Sequence, residues 1–180
     1  SVLSAVARNP RLLVLRSFTK FYALPGLRIG YLAGPPEAVA GIRRLQTPWS
    51  VNALAQAAAQ AALEDRGHAQ RSLAFMQRER GRLAKTLGAI PGLHVFPSAA
   101  NFFLVELSPA MPVAHVTQAL RQQGLLIRDC SAIPGLNGRT IRVAVRTTAE
   151  NRRLVTALRQ VLKTHREKST GAACDVERGL

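Results

Sequence analysis

A lysine becomes chemically interesting when hydroxyls and an arginine stand near it at short intervals. Ser17-Phe18-Thr19-Lys20 is followed by Pro25-Gly26-Leu27-Arg28-Ile29-Gly30-Tyr31, which places an amine, two hydroxyls and a guanidinium within residues 17–28. Ser17 and Thr19 alternate with Phe18, and in an extended segment alternate side chains share a side. Arg28 offers a planar fork of N–H donors that matches phosphate oxygens. Partial desolvation near a second cation favours the neutral, nucleophilic form of a lysine amine. The group suits a phosphate, through the hydroxyls and the guanidinium, with the amine of Lys20 beside it as a usable nucleophile.

These residues need a strand leading in and a strand leading out. The apolar run Leu12–Leu15, after Asn9-Pro10, predicts a buried strand. Arg28–Ala33 predicts a second, ended by Gly34-Pro35-Pro36, and Pro25-Gly26 is the turn signal between them. Pro36 and Glu37 suit the first turn of a helix whose face is Ala38, Ile42 and Leu45. Ser50 is the expected cap of an alanine-rich helix over 52–63. A third helix, about 68–87, sets Leu73, Met76, Leu83 and Leu87 on one stripe.

After Ile90-Pro91-Gly92 the pattern changes. Residues 93–96 and 102–107 are strand-like, Val113, Val116 and Leu120 mark a helix, and Gly124 sits where its C-terminal cap belongs. A short strand is expected over 125–128. Thr140–Val145 alternates, with Ile141, Val143 and Val145 on one side and Arg142, Ala144 and Arg146 on the other. Thr147 and Glu150 form a capping box for a last helix from 148 to about 165, with Leu154, Leu158 and Val161 buried. Residues 1–90 read as the end of a larger α/β layer with linking helices, 91–165 as a small α+β lobe, and the polar tail 166–180 as disordered.

The 180 residues are 47% hydrophobic, enough for one sizeable core. Net charge is +15, from 25 Lys+Arg against 10 Asp+Glu. The basic residues are scattered and mostly arginine, and aromatics at 5% leave few platforms for stacking bases. Solvated surface is the expectation, with no nucleic-acid partner; a binding module would show steeply salt-dependent DNA affinity. No apolar run reaches the roughly 18 residues of a membrane span, so no membrane partner is expected. Cys130 and Cys174 match no metal spacing, and a reduced, cytoplasmic protein without a metal is the simplest reading. The chain opens on Ser1 without a signal-peptide pattern or an initiator Met, which points to a further segment upstream.

S-x-x-K by itself also opens the active site of penicillin-binding proteins and class A β-lactamases, but their S-D-N and K-T-G partners are missing. The longer pattern S-x-T-K-x4-P-G-L-R-x-G-Y is more specific. It resembles the lysine region of fold-type I aminotransferases, the aspartate aminotransferase superfamily, within its histidinol-phosphate aminotransferase branch. RSFTKFYALPGLRIGYLAG (16–34), TPWSVNALA (47–55), SAANFFLVEL (98–107), LLIRDCS (125–131) and GRTIRVAVRT (138–147) carry the likeness over about residues 10–163. The threonine-phosphate decarboxylases of cobalamin biosynthesis have a similar T-K-F-Y-A-x-P-G-L-R loop followed by P-W-S-V-N-A. Aminotransferases more often read S-K and G-L-A-G-L-R.

The resemblance implies an α/β fold: the end of a large pyridoxal-phosphate-binding domain (1–90) and a small C-terminal α+β domain (91–165). It implies pyridoxal 5'-phosphate as cofactor, with Lys20 forming its Schiff base and Ser17 and Arg28 holding its phosphate. It implies Arg142 for the substrate carboxylate and Arg128 for a substrate phosphate, with Asn101 near the substrate arm. It also implies a homodimer. The acidic partner of the pyridine nitrogen lies upstream in such enzymes, and residues 1–19 contain no Asp or Glu, so this chain alone is expected to be inactive. The implied reaction is decarboxylation of L-threonine O-3-phosphate, with a histidinol-phosphate-type transamination as the alternative. The residues do not separate the two, because the cofactor is the electron sink in both.

Overall fold

The structure, a computed structural model, describes residues 2–177 and the side chains of residues 2–167. The chain divides into two compact units, Ser1–Ser72 and Leu73–Leu180.

The first unit opens with a 3-10 helix, Leu3–Arg8, and continues as β1 (Val14–Ser17), β2 (Gly30–Ala33), α1 (Pro36–Leu45), α2 (Ala53–Glu64) and the beginning of α3 (Arg66–Gly88). β1 and β2 pair antiparallel, with Val14 opposite Ala33 and Ser17 opposite Gly30. Glycine is required at that last position: a Cβ on residue 30 would lie 2.6 Å from the carbonyl oxygen of Arg16. β1 starts two residues later than the apolar run suggests, and of its residues Val14 alone is buried. Val14, Phe18, Ala55 and Ala59 are this unit's buried apolar residues. Asn52, not Ser50, caps α2: its Oδ1 accepts from the Ala55 amide at 2.8 Å. Asn and Ser cap about equally well, and Ser50 Oγ is already taken by Gln46 Nε2 at 2.5 Å.

The second unit holds the rest of α3, then β3 (Leu93–Val95), β4 (Phe102–Leu107), α4 (Val113–Gln122), β5 (Arg128–Asp129), β6 (Thr140–Ala144) and α5 (Thr148–Glu177). Its four-stranded sheet runs β3-β4-β6-β5, all neighbours antiparallel. Phe103, Val105 and Leu107 on β4 and Ile141, Val143 and Val145 along β6 are buried against Leu83 and Leu87 of α3, Val116 and Leu120 of α4, and Leu154, Leu158 and Val161 of α5. The expected division near residue 90 thus falls earlier, inside α3, because Leu83 and Leu87 belong to this core. Leu73 of the expected stripe stays 62% exposed.

The expected strand over 125–128 is displaced to Arg128–Asp129, because the preceding residues close α4. Gly124, at φ +71°, donates to the Arg121 carbonyl, and Leu125 donates to that of Leu120. α5 continues past the expected end at 165, through Lys, Glu and Ala residues that favour helix, to Glu177. Of the tail expected to be disordered, residues 178–180 lie outside the described residues. Among the described residues no helix is long and apolar enough to cross a membrane.

Candidate active site

The loop between β1 and β2 is tied at its neck by both backbone groups of one residue. The Phe18 amide donates to the Ile29 carbonyl at 3.1 Å, and the Phe18 carbonyl accepts from the Leu24 amide at 3.3 Å. The Ala23 amide closes a tighter turn onto the Lys20 carbonyl at 3.1 Å. The Phe18 ring, 3% exposed, anchors the loop. It stacks on Tyr22 at 5.0 Å and meets Tyr31 edge-on at 6.1 Å, while Phe21 meets Tyr22 at 4.9 Å. These ring contacts tie the loop to the buried Phe18.

The loop's polar side chains are joined in series. Ser17 Oγ lies 2.8 Å from Thr19 Oγ1 and accepts from the Thr19 amide at 3.2 Å. Lys20 Nζ donates to Thr19 Oγ1 at 3.1 Å. The alternation of Ser17 and Thr19 about a buried Phe18 therefore brings both hydroxyls together. The expected partial desolvation of Lys20 is not met in this chain: the residue is exposed. Arg28 adopts a left-handed backbone, φ +48°, and donates from Nη1 to the Pro25 carbonyl at 3.3 Å. Ser17 and Arg28 both line an open cleft of about 630 Å³ with Gly30, Gln46 and Ser50; Lys20 is not in its wall.

The donor set fits a phosphorylated aldehyde. Hydroxyls and a guanidinium suit phosphate oxygens, an accessible amine suits the carbonyl, and the left-handed Arg28 is the kind of backbone strain that clusters at ligand clamps.

In the second unit, Arg128 of β5 stands directly opposite Arg142 of β6. Like charges in that relation repel, and neither is found in an ion pair among the described residues. Their neighbours are neutralised: Arg139 Nη2 meets Glu106 Oε1 at 2.8 Å, and Arg146 Nη2 meets Glu150 Oε1 at 2.6 Å. Asp129 accepts from the Ser131 amide at 2.8 Å; that pairing, with the Ser131 hydroxyl foremost, holds its carboxyl below the usual range. Arg142 and Arg146 share a side of the strand, as expected, but only Arg142 remains available for an external anion. Arg142 instead lies over the Phe102 ring, its guanidinium carbon 5.1 Å from the ring centre. Asn101 contributes its carbonyl, which accepts from the Val145 amide at 2.8 Å and pins the end of β6. Cys130 is buried, its thiol 3.8 Å from the Arg128 carbonyl.

A buried network behind β6 has no signature in the sequence. Asn151 Oδ1 accepts from the Arg146 amide at 2.9 Å, and its Nδ2 donates to the Arg146 carbonyl at 2.9 Å and to Glu79 Oε2 at 3.4 Å. Glu79 is 1% exposed. Hydrogen bonds, from Thr148 first and then from Asn151 with Arg82, hold its carboxyl below its ordinary range against the upward push of burial. A buried Glu on a polar helix stretch has nothing local to announce it.

A family model described as aminotransferase class I and II matches residues 1–158. The threonine-phosphate decarboxylase of Salmonella typhimurium is 44% identical over 159 residues, covering 88% of this chain and 43% of that protein. The crystal structure of the histidinol-phosphate aminotransferase from Clostridium acetobutylicum superposes with a TM-score of 0.86 at 30% identity, over 91% of this chain and 49% of that one. The histidinol-phosphate aminotransferase from Sinorhizobium meliloti, solved in complex with pyridoxal-5'-phosphate, superposes at 0.77 with 27% identity, over 90% of this chain and 44% of that one. The chain thus spans less than half the length of these relatives.

Proposed function

The chain belongs to the aminotransferase class I and II family, whose fold-type I enzymes depend on pyridoxal 5'-phosphate, and from that premise we propose that it carries the lysine and arginine half of a decarboxylase acting on L-threonine O-3-phosphate. The observation that carries the cofactor assignment is the series Ser17 Oγ, Thr19 Oγ1, Lys20 Nζ at the neck of the β1–β2 loop. Ser17 and Arg28 would hold the cofactor phosphate, and Lys20 would bond its carbonyl carbon. Bound there, pyridoxal 5'-phosphate supplies an electron sink for the bond broken at the substrate's α-carbon.

The rest of the chemistry is positioning and proton movement by the chain's own side chains. Arg142 takes the substrate carboxylate through its N–H edge, and Arg128, opposite it, takes the substrate phosphate. A small substrate with an anion at each end relieves the repulsion between the two guanidiniums. Two fixed points prevent rotation about the carbon–nitrogen bond, and such orientation is worth several kcal/mol in well-built sites. Once the substrate amine has taken its place on the carbonyl carbon, the freed Lys20 Nζ would deliver a proton to the α-carbon after carbon dioxide leaves. The product is (R)-1-aminopropan-2-yl phosphate.

The assembly is a homodimer in the cytoplasm. Leu45, Trp49 and Leu54, at 87%, 97% and 78% exposure, are among the apolar side chains that favour burial against a further surface, and the free thiol of Cys130 accords with a reducing compartment.

The test uses a chimaera of this chain with the part of the Salmonella relative outside the matched segment. Carbon dioxide is expected from L-threonine O-3-phosphate with no 2-oxo acid present. Stoichiometric consumption of 2-oxoglutarate with histidinol phosphate would replace the decarboxylase reading by a transaminase. Borohydride reduction with cofactor is expected to leave a pyridoxyl label on Lys20, found by peptide mapping, and Lys20→Ala is expected to remove it. A label on another lysine ends the cofactor assignment.

A further inference from the structure

Arg139, Arg142 and Arg146 lie on or beside one strand, yet they are held in two different ways. Arg139 and Arg146 spend their N–H edges on Glu106 and Glu150. Arg142 is held by its flat face, with the guanidinium carbon 5.1 Å from the centre of the Phe102 ring. The difference follows from register. Leu104 is directly opposite Arg142 on β4, Phe102 is opposite Ala144 and hence diagonal to Arg142, and Arg128 is opposite on β5. The other diagonal place on β4, opposite Thr140, holds a carboxylate, Glu106, but Arg139 already takes it at 2.8 Å. Diagonal neighbours on a sheet are within reach of aromatic and long side chains.

A cation–π contact engages the face of a guanidinium and leaves its in-plane donors free for bidentate recognition of a carboxylate. We infer that Phe102 is a positioning residue that holds Arg142 face-down so that its donor edge stays open to the substrate carboxylate. A carboxylate in Phe102's place would hold the arginine equally well but would consume that edge. The inference rests on the assignment of Arg142 to the substrate carboxylate made above.

The test measures binding of two ligands to the whole 180-residue chain by following arginine Nε–H resonances. The ligands are L-threonine O-3-phosphate and (R)-1-aminopropan-2-yl phosphate, which differ in the carboxylate. The wild type is expected to prefer the first. Phe102→Leu is expected to shrink that preference about five-fold, with Phe102→Met used instead if the leucine variant melts early. Phe102→Tyr, which keeps the aromatic face, is expected to retain the preference. A loss of packing alone would weaken both ligands together. A leucine or methionine variant that discriminates as well as the wild type overturns the role given to Phe102. A wild type without the preference, or an Arg142→Ala chain that keeps it, overturns the assignment of Arg142 and this inference with it.

Discussion

Arg28 is held in a conformation that an L-residue with a Cβ rarely adopts, φ +48°, at a cost of about 1–2 kcal/mol. Glycine would adopt it freely but loses more entropy on folding, about 0.5–1 kcal/mol. Arg28→Gly should therefore leave the melting midpoint nearly unchanged while pyridoxal 5'-phosphate affinity, followed by absorbance titration, falls at least about ten-fold as a charge-assisted phosphate contact is lost. A variant that binds cofactor as tightly as the wild type would remove Arg28 from the phosphate site. Glu150 makes a different kind of prediction. Hydrogen bonds from Arg146, then from the hydroxyl and amide of Thr147, lower its pKa from 4.5 to about 2. A depressed carboxyl stabilises the fold fully above its unfolded value and loses that contribution as pH falls through its folded value. The melting temperatures of wild type and Glu150→Gln should thus differ most above pH 4.5 and converge towards pH 2; a gap independent of pH contradicts the assignment. The capping box itself was legible as T-x-x-E, because both partners are local. Glu79 was not, because its hydrogen-bond partner Asn151 is 72 positions away.

Elements show the same division between local and distant causes. β6 was readable from alternation alone, since each second residue enters the core. What alternation could not separate was Arg142 from Arg146, which share a side; the separation comes from Glu150 on the next helix capturing one of them. β5 lies beyond the stretch Leu125-Leu126-Ile127, which has the apolar pattern of a strand, because the closure of α4 takes up that stretch. The β1–β2 pair depends on a close approach that the pattern P-G-L-R-x-G only hints at. Gly30→Ala puts a methyl group 2.6 Å from the Arg16 carbonyl oxygen, so the two strands must separate. Overpacking of this kind costs about 1–3 kcal/mol, and here the damage is directed at Ser17, which pairs with residue 30. Gly30→Ala should lower both the midpoint of denaturation and the yield of Lys20 labelling by cofactor and borohydride. Leu158→Ala, in the fully buried face of α5, should cost about 2–5 kcal/mol in chemical denaturation and leave the labelling yield at matched folded fraction unchanged. Equal loss of labelling in both variants would mean that the lysine loop is not independently organised.

On the scale of the whole molecule, the two units are unequally built. The second has a continuous apolar core drawn from three helices and two strands. The first buries Val14, Phe18, Ala55 and Ala59 and leaves Leu15 72% exposed. Burial of apolar surface dominates stability, and regions with few buried apolar contacts open at lower free energy. Amide hydrogen exchange should therefore divide along the chain: Val143 and Leu158 exchange only through the most costly opening, while Leu15 and Tyr31 exchange through cheaper, local ones. A ligand that binds only the closed form of a segment stabilises that segment by about 2.7 kcal/mol at a concentration 100 times its dissociation constant. Pyridoxal 5'-phosphate at that excess should slow the β1–β2 amides by about a hundred-fold, leave the amides of β4 and β6 as they were, and do neither in Lys20→Ala. Uniform slowing in both units would instead mean that the chain opens as one body, and the cofactor loop would then have no stability of its own to be raised.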